Sequence, residues 1–173
     1  MRSSLFTLTI LALLASISYG IQCRPSDVAW GGNCYYFSND PMTFTQAQDF
    51  CWSLGGYGIT SISDISENNF IAGQAAQRFS ASHFIIGLYR SSPTSQYWYW
   101  YNGDWSTYRN WDTNEPAGVG TIAIASKLTG KWSANFNDYS LPFVCESNWY
   151  TTEGYYASST SWYDPKNERK QSN

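Results

Sequence analysis

Apolar residues recur along this chain at two different periods, and the change of period separates predicted helices from predicted strands. In the stretch that begins at Thr43, the residues Phe44, Ala47, Phe50, Cys51 and Leu54 share one helical stripe, and Gln46 stands three places after Thr43 as a capping box requires. Gly55 and Gly56 stop that helix. A second helix is predicted after Asp64, with Glu67 as its reciprocal cap and Phe70, Ile71, Ala75 and Phe79 as its buried stripe. Beyond it the pattern shortens. FIIGLY, residues 84–89, reads as a buried strand whose Gly87 marks a bulge or the close approach of another backbone. In YWYWYNGDW, residues 97–105, Trp98 and Trp100 fall on one face and Tyr97, Tyr99 and Tyr101 on the other, with Asn102 and Gly103 as a two-residue hairpin turn. TIAI, then LTGKW across a glycine turn, then LPFVCE complete the strands, and AWGGNCYYF ahead of the first helix predicts a strand, a turn and a second strand.

One stretch keeps no period. From Trp105 to Val119 the chain is rich in Asn, Asp, Gly and Pro, and an irregular loop of that length inside a compact domain is more often functional than accidental.

The chain has 173 residues, enough for one domain with a real core. Arg2, the apolar run from Leu5 to Ile17 and the small residues Ser18 and Gly20 predict a secretory signal over residues 1–20 and a domain over 21–147. The apolar run falls short of the about 20 residues that cross a bilayer, so the expectation is a secreted, extracellular protein without stable membrane insertion. Residues 148–173 carry Trp149, Tyr150, Tyr155, Tyr156, Trp162 and Tyr163 and then the polar DPKNERKQSN, which predicts a partly ordered tail. Net charge is −3, and loss of the signal with Arg2 makes it one unit more negative. Phosphate binding needs clustered positive charge, so nucleic acid is excluded as a partner.

Catalytic chemistry finds little to work with. His83 is the sole histidine and stands just ahead of a predicted buried strand, the carboxylates are spread over many turns with no pair evident, and no catalytic residue is assigned. The 4 cysteines admit three disulfide pairings, and none of them has the close spacing of a zinc site.

The ordered series YWYWYNGDW, NWDTNEP, TGKW and FVCE, with Ile85, Ile86, Gly87 and Leu88 where a WIGL motif belongs, resembles the C-type lectin domain over residues 23–146. That resemblance implies an α+β fold of two helices, two small antiparallel sheets and a long irregular loop, tied by disulfides. It implies that Cys23 and Cys34 are the extra N-terminal pair of the long form, and that Cys51 in the first helix bonds Cys145 in the last strand. The second family disulfide would fall near Thr121 and Asn137, and both of its cysteines are missing. By the same resemblance Trp98, Trp100, Trp111 and Trp132 are core residues.

The resemblance also locates a calcium site, and the residues there do not suit it. Calcium takes six to eight oxygen ligands. Where sugar-binding members carry EPN or QPD, this chain reads Glu115, Pro116, Ala117; where they carry WND, it reads Trp132, Ser133, Ala134. Alanine offers no side-chain oxygen, and no Asp or Glu lies between Ala117 and Lys131. The expectation is therefore a calcium-independent recognition protein with no metal and no cofactor, binding a glycan or else an extracellular protein. Its candidate ligand-binding residues are Asn110, Asp112, Asn114 and Glu115 in the long loop. Family analogy adds a role in innate immune surveillance.

Overall fold

The computed structural model describes residues 23–147; the predicted signal and the aromatic tail lie outside the described residues. Gly31 and Gly32 take positive φ, 58° and 93°, and turn strand β1 (Val28–Trp30) back into β2 (Asn33–Met42). Helix α1 (Phe44–Ser53) starts where the capping box placed it, with Thr43 and Gln46 bonded reciprocally. A short strand β3 (Tyr57–Ile59) follows, then α2 (Ile65–Arg78), β4 (His83–Tyr89), β5 (Tyr99–Trp100), β6 (Ile122–Ser126), β7 (Trp132–Asn135) and β8 (Leu141–Ser147).

Two local expectations change. Asp64 caps α2 by accepting from Ser66 N at 2.7 Å and Glu67 N at 2.9 Å, but Glu67 does not return to the Asp64 main chain. Its side chain turns inward instead, accepting from Ser63 N at 2.7 Å and from the Tyr35 hydroxyl at 2.6 Å. The hairpin predicted at Asn102 and Gly103 does not form either. Gly103, at φ 82°, closes a turn onto Trp100 O, yet the next amides are captured by side chains: Asn102 Oδ1 accepts from Asp104 N and Asp104 Oδ1 from Ser106 N. A returning strand needs those groups, so β5 pairs with β4 instead, Trp100 opposite Leu88.

The strands run β1-β2-β8-β4-β6-β7, with β3 on β8 and β5 on β4. Pairings between these strands are antiparallel except the contact of Ile85 with Phe143, which joins the two expected sheets into one mixed network; an isolated parallel bridge also links Trp111 to Trp132. Alternate residues then feed two cores. Phe84, Ile86, Leu88 and Val144 join α2 and the tryptophans, whereas Ile85, Ile124, Phe143 and Cys145 join α1. At the centre, a Cβ on Gly87 would stand 2.8 Å from the carbonyl oxygens of both Ile59 and Thr60, so only glycine lets β4 pass this close.

Cys23 bonds Cys34 and Cys51 bonds Cys145, each pair with its Cα atoms 5.4 Å apart. Among the described residues, no helix is long and apolar enough to cross a membrane.

Candidate functional site

The irregular loop rests on aromatic packing. Trp132 is fully buried and donates its indole N–H to Asn68 Oδ1 at 2.8 Å, while Trp100, Tyr108 and Trp111 pack edge-on around it with ring centres 5.6 to 5.9 Å away. Trp98 and Trp100 are buried, and Trp111 is partly buried against the same cluster, in line with a core role. Arg109 stays below the ordinary arginine pKa because it is drawn out of water, and it spends donors on the main-chain oxygens of Trp98, Ser106 and Tyr108. Two enclosed donors lie in this layer without a partner among the described residues, Trp98 Nε1 and the Tyr108 hydroxyl.

The four candidate binding residues lie in one loop segment and do different things. Asn110 is committed to the scaffold: its amide nitrogen donates to Gly130 O at 2.8 Å, its side-chain oxygen accepts from Lys131 Nζ at 2.8 Å, and its main-chain oxygen accepts from Trp132 N. Asp112 is exposed, and one of its oxygens accepts from Thr113 N. Asn114 is exposed at φ 66°, a conformation Asn tolerates better than most residues. Glu115 is half-buried and precedes a cis bond to Pro116.

The chemistry of Glu115 is the centre of the site. Its Oε2 accepts from Ala117 N at 2.7 Å and from Ala134 N at 2.9 Å. The carboxylate therefore ties the loop to β7 through the Ala134 N–H and closes its own turn through the Ala117 N–H, at the two positions where the calcium-binding pattern calls for oxygen-bearing side chains. Charge-assisted bonds of this kind are about twice as strong as neutral ones. Among the described residues, no group of three or more His, Cys, Asp or Glu side chains is arranged to hold a metal ion.

The fold also makes a carboxylate pair that the sequence conceals. Glu67 from α2 and Glu146 from β8 are 4% and 5% exposed, and the Tyr35 hydroxyl lies 2.6 Å from the first and 3.4 Å from the second. Burial foremost, and then the charge of Glu67, push the Glu146 carboxyl up to about 8, against the hydrogen bonds it accepts from Ser61 and Thr60. Both carboxylates are enclosed in the core, where Ser61, Ser63, Thr60 and Asn33 donate to them. Their distance in sequence hid them; the reciprocal-cap pattern at Glu67 pointed to a surface role. Trp105 was also missed as a candidate. It is 95% exposed, and it escapes the buried tryptophan face because the turn at Gly103 ends the alternation before it.

A sequence profile described as Lectin C-type domain matches residues 40–147. Lithostathine of Rattus norvegicus is 29% identical over 131 residues, which covers 73% of this chain and 79% of that protein. The crystal structure of human lithostathine superposes with a TM-score of 0.69 at 24% identity, covering 75% of this chain and 94% of that one. The C-type carbohydrate-recognition domain of cow CD23, solved in the presence of a GlcNAc2Man3 oligosaccharide, gives 0.63 at 25% identity, covering 72% and 95%. A calcium-independent type II antifreeze protein shares the fold, with 0.65 at 20% identity over 73% and 94%.

Proposed function

Because the chain belongs to the C-type lectin domain family, we propose that it is a secreted, non-catalytic recognition protein that binds glycans through residues 105–119 without calcium. The observation that carries this reading is the double acceptance by Glu115 of the Ala117 and Ala134 N–H groups. In a calcium-binding loop the cation balances carboxylate charge and draws strand and loop together; here two N–H donors perform both tasks. Asp112 and Asn114 remain exposed, with an acceptor-rich edge suited to sugar hydroxyls. The relatives support recognition as the activity: the cow domain was solved with an oligosaccharide present, and the antifreeze protein holds the same fold and is described as calcium-independent.

A second reading has its own observation. Trp105, almost fully exposed at the start of the loop, is the kind of side chain that anchors protein interfaces. A glycan array run with and without a chelator, followed by a pull-down from extracellular extract, separates the two. Specific array signal that survives chelation and drops about tenfold or more in Asp112→Ala or Asn114→Ala, with melting temperature unchanged, is the expected result. An empty array with a stable partner lost on Trp105→Ala assigns the loop to protein. Array signal abolished by the chelator rejects the calcium-free mechanism.

A further inference from the structure

A cleft of about 220 Å³ lies among the start of α1, the ends of β4 and β5, the start of β6 and the turn at Asn137. One wall is aromatic. Phe44, Tyr89 and Tyr101 form a triangle with ring centres 5.2 to 6.4 Å apart, and exposed Tyr99 extends it outward, 6.4 Å from Tyr89. Gln48 and Thr45 from α1 line it too, with Asn137 beside the helix start, its main-chain oxygen accepting from Phe44 N.

Gln48 is the unusual member. It is 8% exposed, on the same helix as buried Phe44, Ala47 and Cys51, and among the described residues no group hydrogen-bonds its amide. A primary amide has two donors and two acceptor positions, and those of Gln48 are not among the fully enclosed polar atoms left unpaired, so they still reach solvent. Its remaining outlet is the cleft, where water serves it until something else does. Charge narrows the ligand. Arg90 is the one charged residue of the lining, and its guanidinium is spent on the carbonyls of Gly120 at 2.7 Å, Gly118 at 2.8 Å and Ser95 at 3.1 Å. The cleft thus presents tyrosine faces, an amide and hydroxyls with no free charge. A pyranose ring matches it, with a C–H face for the aromatics and neutral hydroxyls or an acetamido group for the amide. The volume lies below the about 300–1,000 Å³ of pockets for drug-sized ligands, which fits one ring and excludes a longer segment.

We propose that this cleft is a binding site for a single neutral pyranose residue, with Gln48 as its hydrogen-bonding anchor and Tyr101 and Tyr89 as its stacking wall. None of its lining residues belongs to the 105–119 segment, although Arg90 in its wall holds Gly118 O of that segment.

The test is amide NMR of the isotope-labelled full chain titrated with the methyl glycosides of N-acetylglucosamine, galactose, mannose and glucose. The expected result is a saturating shift of the Gln48 side-chain amide and of the Thr45 and Asn137 amides with at least one of these sugars, at a Kd on the order of millimolar. Gln48→Met keeps the volume and removes the anchor, so it should weaken that response about tenfold or more with the melting temperature unchanged, a pairing that a purely structural glutamine would not produce. Asn137→Ala, at the exposed rim, should weaken it several-fold and covers the case in which the first variant misfolds. Silence from all four sugars overturns the proposal, as does a Gln48→Met protein that binds normally. Shifts confined to residues 105–119 overturn it while leaving the loop reading intact. Cleft amides that respond to a captured protein and to no sugar reassign the cleft and overturn it as well.

Discussion

Burial pushes the Glu146 carboxyl toward its protonated form, which its position in the chain would not suggest. Its folded carboxyl is pushed up to about 8, chiefly by burial, against an ordinary value of 4.5. Between those two values the folded protein binds more protons than the unfolded chain, so this residue makes stability fall as pH rises across that window. The contribution is intact at about pH 4 and lost by about pH 9, the reverse of a carboxylate held in an ion pair. Glu146→Gln mimics the protonated form and should remove the decline. The difference in melting temperature, mutant minus wild type, should grow steadily more positive from about pH 5 to about pH 8. A difference that stays flat with pH would mean that Glu146 ionises normally. The same reasoning explains the raised pKa of Tyr35, whose buried hydroxyl donates to Glu67 and faces Glu146.

Among the elements, β4 carries the tightest constraint. Gly87→Ala would drive a methyl group against two carbonyl oxygens of fixed backbone at 2.8 Å, and those groups cannot swing away as a side-chain tip could. A loss of about 1–3 kcal/mol is expected, read as a lower denaturant midpoint at unchanged slope. This is also where sequence reading works best. A glycine inside an apolar run, a Thr and Gln three apart and a pair of glycines at a turn are local signals with local causes, and the structure honours each of them. What fails is equally physical. Strand β3 has three residues including Gly58, too few to show a period, and exists because β8 offers it partners at Ser147, Glu146 and Cys145. The hairpin after Gly103 fails because Asn102 and Asp104 bond the main chain before a strand can. In the loop, position alone grouped Asn110 with Asp112 and Asn114, and only coordinates reveal that Asn110 is occupied by Gly130 and Lys131.

Taken whole, the molecule is held by a short and a long covalent tie. Cys51 and Cys145 are 94 residues apart, Cys23 and Cys34 are 11 apart. In the chain-entropy account a loop near 100 residues is worth about 4.7 kcal/mol and one near 15 residues about 3 kcal/mol. Cys51→Ala with Cys145→Ala should therefore lower stability more than Cys23→Ala with Cys34→Ala, by about 1–2 kcal/mol in chemical denaturation. The double variant of the long bridge also loses packing, since Cys51 and Cys145 are both fully buried, which adds to the gap.

That long bridge has a bearing on how the chain withstands proteolysis. The exposed stretch around Asn114 is a natural target for digestive enzymes, and it falls between Cys51 and Cys145 in the chain. A cut there leaves β4 and β5 on one fragment and β6, β7 and β8 on the other, still sewn together by sulfur and by shared ladders. The nicked molecule would run as one band on a gel until a reductant splits it.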